Sequence, residues 1–463
     1  MQLVKKAITK FNNSNMLKNV TKISSGTILG QLISLVTLPI FTRLYGATVI
    51  GYWALFTSVA TIVNSFSDLG MSNAIMIEED ENQRKRLFSV ITTLGIVFSV
   101  VVGAGYFVYY TLCPNDTGIH PLFYAVVLAV LIFTQQQIQL SYSWLNKKKQ
   151  YNILMKNPVV NQLTIAIIAI PLGLMGKYLN IGIFITYGYY IGLILGQFLT
   201  LVHMRRFIPA ILPDFNVNHH IANIKKYREF VQYQTPTNFL AQIKSQAPVL
   251  LIKMFFGPTI LGYYSVTQRI LGIPINLLAN AIGKVYYQSV VEVSNRGESV
   301  GQFTFKNMER AMKIAIVPMV LIMGFGDIAS VFFLGADYSV AGNLIRIISL
   351  MTFFTFLMIA TQGIAIVIHK QKYMLISAVA QIIGYVAGLS IGKYVFDNIY
   401  IASFLMVLTF CIVQIVYFCA IFKVTGINPW RYLKGVLLSL GVMALGTAVI
   451  RILLLLIFNV PII

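Results

Sequence analysis

The sequence predicts an all-α polytopic membrane protein, with two six-helix bundles around a central cavity and one extra apolar helix near the C-terminal end. Three observations carry this reading. First, the 463 residues are 57% hydrophobic and only 11% charged, too little polar surface for a water-soluble core of this size. Second, apolar windows of about 20 residues, each long enough to cross a bilayer as a helix, recur along the whole length. Third, the pattern Gly-x-Thr-x-x-Gly-Tyr-aromatic occurs twice, at Gly46–Trp53 and at Gly257–Tyr264, each time in the bend between two such windows. A β-barrel is excluded, because its strands would alternate apolar and polar residues over about 10 positions.

In chain order, residues 1–23 form a basic tail carrying Lys5, Lys6, Lys10, Lys18 and Lys22. The tail runs into a full-length span with no small-residue cleavage site, so no cleavable signal peptide is expected. Six spans are expected at 24–43, 52–77, 88–112, 122–144, 158–176 and 181–203, making an N-terminal lobe over 24–204. A polar linker, 205–234, includes Pro209, Pro213, His219, His220, Lys225, Lys226 and Arg228. Six more spans, at 235–256, 263–291, 311–334, 341–368, 373–393 and 398–420, make a C-terminal lobe over 235–422. Because six is even, both lobes enter the membrane in the same direction. They should be related by a pseudo-two-fold axis along the membrane normal, as in transporters with parallel repeats. Two short connections, Asn115–Gly118 and Gly335–Tyr338, read as turns. Residues 423–463 fall outside the two-fold scheme. Their apolar segment 435–459 either spans or lies partly along the surface, and Arg451 inside it argues against a simple span.

The 35 Lys and Arg against 14 Asp and Glu, a net charge of +21, do not indicate nucleic acid. With the N-terminus in the cytoplasm, only Arg43, Lys177 and Lys393 fall at outer ends and loops, which is a positive-inside pattern. The excess charge also suits contact with anionic lipid headgroups. Cys113, Cys411 and Cys419 form no CxxC or Cys/His spacing, and His219-His220 reads as a solvated pair, so neither metal nor cofactor is expected. Gly173–Lys177 and Gly388–Lys393 have the wrong spacing for a phosphate-binding loop and no following Ser or Thr. ATP therefore does not drive this chain. The driving force is an ion gradient, the membrane potential or the substrate's own gradient. GxxxG spacings at Gly26/Gly30, Gly192/Gly196 and Gly384/Gly388/Gly392 let helices approach closely within the fold. Pro39, Pro171, Pro274 and Pro318 lie within spans, where they create kinks or hinges.

Several spans carry a polar line on one face. Thr57, Thr61, Asn64 and Asp68 share a stripe in the second span, Gln135, Gln139, Tyr142 and Asn146 in the fourth, and Arg269, Asn276, Asn280 and Tyr287 in the eighth. One stripe reads as interhelical hydrogen bonding; three, drawn from both halves, indicate a hydrated cavity. Charges are sharper evidence, because burying one in lipid is costly. Lys244 sits mid-span in the seventh. Arg43, Arg269, Lys284 and Arg346 either line the cavity or snorkel to headgroups. The membrane acids are Asp68 and Asp327, both candidates for coupling to H+ or Na+, and Asp68 has the alternative of pairing with a lysine. A cavity of net positive charge suits an anionic substrate such as a diphosphate or an acidic sugar.

Ser25-Gly-Thr-Ile-Leu-Gly-Gln31, Pro39-Ile-Phe-Thr-Arg-Leu-Tyr-Gly46 and Gly51-Tyr-Trp-Ala-Leu-Phe56 resemble the opening of the Wzx-type polysaccharide flippases, a branch of the multidrug/oligosaccharidyl-lipid/polysaccharide (MOP) exporter superfamily. Trp144-Leu-Asn-Lys147 before Tyr151 is similar to the end of that family's fourth helix. Gly262-Tyr-Tyr-Ser-Val-Thr-Gln-Arg-Ile-Leu-Gly-Ile-Pro274 with Ala281-Ile-Gly-Lys-Val-Tyr-Tyr287 resembles its eighth, and Ala341-Gly-Asn-Leu-Ile-Arg-Ile347 its tenth. The resemblance covers residues 20–422. It implies twelve core helices in two bundles, a V-shaped MATE-like cavity and alternating access. The implied cargo is an O-antigen or capsule repeat unit on undecaprenyl diphosphate, moved to the outer leaflet of a bacterial inner membrane. The pathway's polymerase and ligase would be partners. Arg43, Arg269 and Arg346 match basic positions of the family pattern. Many relatives carry an Asp-Arg pair in the seventh helix where this chain reads Ala247-Pro248-Val249, with Lys244 and Lys253 nearby. A drug or cation antiporter of the same superfamily is the alternative, and would want more membrane acids. A glycan polymerase or transferase would need catalytic carboxylates or a substantial outer loop, and neither is present.

Overall fold

The computed structural model describes residues 15–112 and 120–458, with side chains over 24–112 and 120–457. The tail residues 1–14, Cys113 and the turn expected at Asn115–Gly118 lie outside the described residues, as do 459–463. The described chain is almost entirely helical, with no strand among the described residues. The elements begin with α1 (Asn15–Ser67), α2 (Ala74–Ile77), α3 (Glu81–Leu112), α4 (Pro121–Lys147), α5 (Tyr151–Tyr178), α6 (Gly182–Arg205) and α7 (Val217–Lys226). They continue with α8 (Thr235–Pro274), α9 (Asn280–Asn295), α10 (Val300–Leu334), α11 (Ser339–Ala360), α12 (Ile364–Val367), α13 (Gln371–Tyr394), α14 (Ile399–Val424) and α15 (Pro429–Phe458). Eleven helices are long and apolar enough to cross a membrane. Two of these, Ser24–Ser67 and Phe230–Asn295, are bent, each within the stretch where two spans are expected, so the described residues offer thirteen apolar helical segments by length and composition.

The bends fall on the first glycine of each copy of the repeated pattern. Gly46 has φ 74 and ψ 171, and Gly257 has φ 83 and ψ 178. This extended, positive-φ region is open essentially to glycine alone. No atom lies within 4 Å of where a Cβ would stand at either position, so the need for glycine there is conformational rather than steric. Gly46→Ala and Gly257→Ala are therefore each expected to cost about 1–3 kcal/mol. Gly105→Ala, equally unhindered but inside regular helix, should be neutral or slightly stabilising. Thermal unfolding of the three variants checks the contrast.

The chain forms two compact units, Met1–Val49 with Trp53–Gln246, and Ile50–Tyr52 with Ala247–Ile463. In the first unit, α1 lies on α5 through Gly26, whose Cβ would strike the Met155 carbonyl, and through Gly30, whose Cβ would stand 2.8 Å from that of Pro158. Gly192 and Gly196 bring α6 onto Ala169 and Ile165 of α5 in the same way. The Tyr45 hydroxyl donates to the Ala169 carbonyl at 2.5 Å, which gives the Leu-Tyr-Gly end of the first motif an anchoring role. Phe56, Tyr124 and Tyr190 fill the core beside it.

The polar linker is strapped to this unit. Ser89 donates to the Leu212 carbonyl, and Thr93 donates to that of Asp214 at 2.9 Å. Asn216 caps α7, and His219 meets Asp214 at 2.6 Å. At the far end of α7, Lys226 pairs with Glu78 at 2.7 Å, and the Tyr227 hydroxyl donates to the same carboxylate. These hydrogen bonds, that of Lys226 first, hold the Glu78 carboxyl down to about 2 from its usual 4.5. The stabilisation it contributes is complete above pH 4.5 and is lost as pH falls toward 2; Lys226, pushed up by Glu78, contributes until pH rises beyond 10.5. The latch is thus constant across the neutral range. Glu78→Gln should loosen α7 by ~1 kcal/mol or less, read as a few-fold faster amide exchange over 217–227 with other helices unchanged.

In the second unit, Gly384, Gly388 and Gly392 of α13 seat on Thr409, Met406 and Ala402 of α14. Here Gly51 sits directly against the Pro258 carbonyl, so the second glycine of the repeated pattern is required by close approach. The helix outside the two-fold scheme, α15, runs along α10 in the same direction. Gly435 faces Met312, Gly446 faces Val320, Ile450 faces Gly324, and Arg451 meets Asp327. These contacts climb about 22 Å of α10 at 1.5 Å per residue, so α15 packs lengthwise along a membrane-length helix.

Candidate cationic substrate site

In the first unit the expected stripes of α1 and α4 meet, as Asn64 donates to Gln135 at 3.3 Å. Thr57 and Thr61 return their hydroxyl protons to the Trp53 and Thr57 carbonyls, at 3.0 and 2.6 Å, leaving only acceptor capacity on that face. Asp68, one turn further, does not face a ligand in the same way. Its carboxylate accepts from the backbone N–H groups of Gly70 at 3.0 Å and Ser72 at 3.2 Å, closing α1 in a turn that Gly70, at φ 69, completes. Gln139 is exposed, and Tyr142 packs half-buried against the cluster around Trp144 and Leu145. The neighbouring glutamines, absent from the stripe, turn inward: Gln136 donates to the Ile91 carbonyl at 3.2 Å, and Gln137 accepts from Thr92 at 3.4 Å. Both are almost fully buried. Gln135-Gln136-Gln137 in a membrane-length helix was the available signal for this interior polar network.

Lys244 belongs to the first unit, on the stretch of α8 that precedes Pro248. It is half-buried, and among the described residues no carboxylate lies within ion-pair distance of it. Arg43 is exposed at the bend end of the first span.

The second unit gathers the remaining cations. After Pro274 the helix widens by one residue over Ile275–Ala279, which turns Asn276 toward Asn280; the two amides bond at 3.2 Å. Arg269 is half-buried one face-repeat before them, and Lys284 is exposed one turn after. Tyr287, also exposed, lays its ring over Gly363, whose φ of 85 and missing side chain make room for it. Arg346 is placed by Gly342, where a Cβ would stand 2.6 Å from the Asp327 Cα. That contact, with Thr267 donating to the Ala341 carbonyl at 3.1 Å, fixes α11 between α8 and α10. One turn on, the Arg346 guanidinium lies 3.9 Å from the Asp327 carboxylate. Asp327 itself bonds directly to Arg451 of α15. No group of His, Cys, Asp and Glu side chains suited to a metal ion occurs among the described residues.

Each unit thus carries amides and cations on membrane-length helices. Asp68 of the first unit is engaged by backbone N–H groups, and Asp327 of the second by arginine.

The family described as polysaccharide biosynthesis protein matches residues 40–342. Among solved structures, the lipid II flippase MurJ in an inward closed conformation superposes with a TM-score of 0.66 at 15% identity, over 94% of this chain and 99% of that one. An inward-facing multidrug resistance MATE family transporter of the MOP superfamily gives 0.62 at 13% identity, over 87% and 93%. A MOP superfamily transporter from Pyrococcus furiosus gives 0.53 at 13%, over 88% and 96%. At these identities the likeness is one of fold. No curated protein sequence matches the chain.

Proposed function

The chain belongs to the polysaccharide biosynthesis protein family, and on that premise we propose that it is a flippase for lipid-linked oligosaccharides. It carries a repeat unit on a polyprenyl diphosphate from the cytoplasmic to the outer leaflet of a bacterial inner membrane. Its N-terminus is cytoplasmic, the side on which the basic residues concentrate.

The observation that carries this reading is Lys244, a cation in the middle of a span with no acidic partner among the described residues. An uncompensated charge at that depth is expensive unless a ligand or water meets it. A diphosphate is the ligand whose charge and oxygens match, and Arg269, Lys284, Arg346 and Arg43 extend the positive field. Asn64, Gln135, Gln139, Asn276, Asn280 and Tyr287 supply sequence-neutral hydrogen bonds for a glycan. The prenyl tail stays in lipid. A fold shared with a lipid II flippase supports a lipid-linked cargo. Alternating access driven by an ion gradient or the membrane potential completes the cycle. Asp68 is the carboxylate we assign to coupling, because its engagement by backbone N–H groups, unlike that of Asp327 by arginine, leaves no cation beside it to neutralise its charge.

The test is reconstitution. Proteoliposomes bearing a polyprenyl-diphosphate oligosaccharide on one leaflet should show saturable, protein-dependent exposure of the glycan to an external lectin. Transport of organic cations with no glycan exposure would replace this reading with the antiporter.

A further inference from the structure

Arg451 lies in an apolar helix outside the two-fold scheme, and neither the repeat nor the site accounts for it. Its side chain is only 3% exposed, and its Nε and one terminal nitrogen have no hydrogen-bond partner. Its one ion-pair partner among the described residues is the Asp327 carboxylate, which is also 3.9 Å from Arg346. Two guanidiniums therefore share one carboxylate, and the cluster keeps one positive charge. Where that charge sits follows from burial. Arg451 cannot give up this counter-ion, its only one among the described residues, without leaving an isolated charge inside the protein. Arg346, with 26% of its side chain exposed, can meet a ligand or water instead.

We propose that Arg451 is a positioning residue for Arg346. By taking the Asp327 carboxylate, it keeps Arg346 available as a cation for the substrate's diphosphate. The thirteenth span is then part of the transport machinery. This rests on the reading of Arg346 as a substrate-binding cation. Without Arg451, Asp327 has Arg346 as its nearest cation, closes onto it and neutralises it.

The experiment measures binding of farnesyl diphosphate to the purified full chain in detergent, with monodispersity and thermal stability recorded for each variant. Arg346→Met should weaken binding roughly tenfold, the loss of a charge-assisted contact. Arg451→Met should weaken it by a similar factor although Arg346 is present. Adding Asp327→Asn to Arg451→Met should return affinity to within about threefold of the parent, because the competing carboxylate is gone. Arg451→Gln, which keeps a donor to Asp327 without the charge, serves if the methionine variant does not fold, and should also bind weakly. Folded Arg451→Met or Arg451→Gln that binds like the parent while Arg346→Met does not would overturn the positioning role and leave the site intact. Unchanged binding by Arg346→Met would instead remove Arg346 from the site, and the proposal with it.

Discussion

Lys244→Met is expected to reduce glycan translocation at least about tenfold while leaving the folded protein as stable as the parent or more so. The two halves of this expectation have one cause. A charge-assisted hydrogen bond to a diphosphate is worth about 1.5–3 kcal/mol, so removing its donor costs tenfold or more in affinity. Lys244 makes no ion pair among the described residues, so the substitution breaks none and removes a desolvated charge from a span. Lys253→Met, near the end of the same span, is the control and should transport within about twofold of the parent. Flux assays paired with thermal unfolding read both quantities. Parental flux from a well-folded Lys244→Met protein would mean that this lysine snorkels and does not bind.

Gly342→Val is expected to be among the most destabilising single substitutions in the second unit, by ~3 kcal/mol. A Cβ there already overlaps the backbone of α10, at 2.6 Å from the Asp327 Cα, and backbone cannot rotate out of the way as a side chain can. The helices must part, and the register that sets Arg346 beside Asp327 goes with them. Lower yield of monodisperse protein and a depressed Tm should accompany loss of transport. Gly435→Ala, whose Cβ would meet only the Met312 sulfur at 3.6 Å, should be tolerated.

The crossings were legible in the sequence because each is a continuous apolar run. The repeat was legible too, although only the backbone shows why its glycines recur, the first for positive φ and the second, at Gly51, for close approach. The polar faces were partly legible. Helical phase brought Asn64 and Gln135 together, but phase alone does not report that a side chain folds back on its own backbone, as Asp68 does onto Gly70 and Ser72. Asp68-Leu69-Gly70 is a turn-forming sequence, and it was the competing signal there. The Asp327–Arg451 pair joins distant parts of the chain, and spacing rules do not reach that far. What the sequence held was an argument from cost: an arginine and an aspartate, each in an otherwise apolar helix, each needing a partner.

The measurement that bears most directly on the flippase reading is mass spectrometry of lipid-linked oligosaccharides in the source strain with this gene deleted, in a background that tolerates a block in polysaccharide export. A polyprenyl-diphosphate glycan should accumulate while surface polysaccharide falls, and the accumulated glycan identifies the cargo. Unchanged lipid-linked pools and unchanged surface polysaccharide, with no second flippase in the strain, would contradict the reading and put a small-molecule substrate in its place.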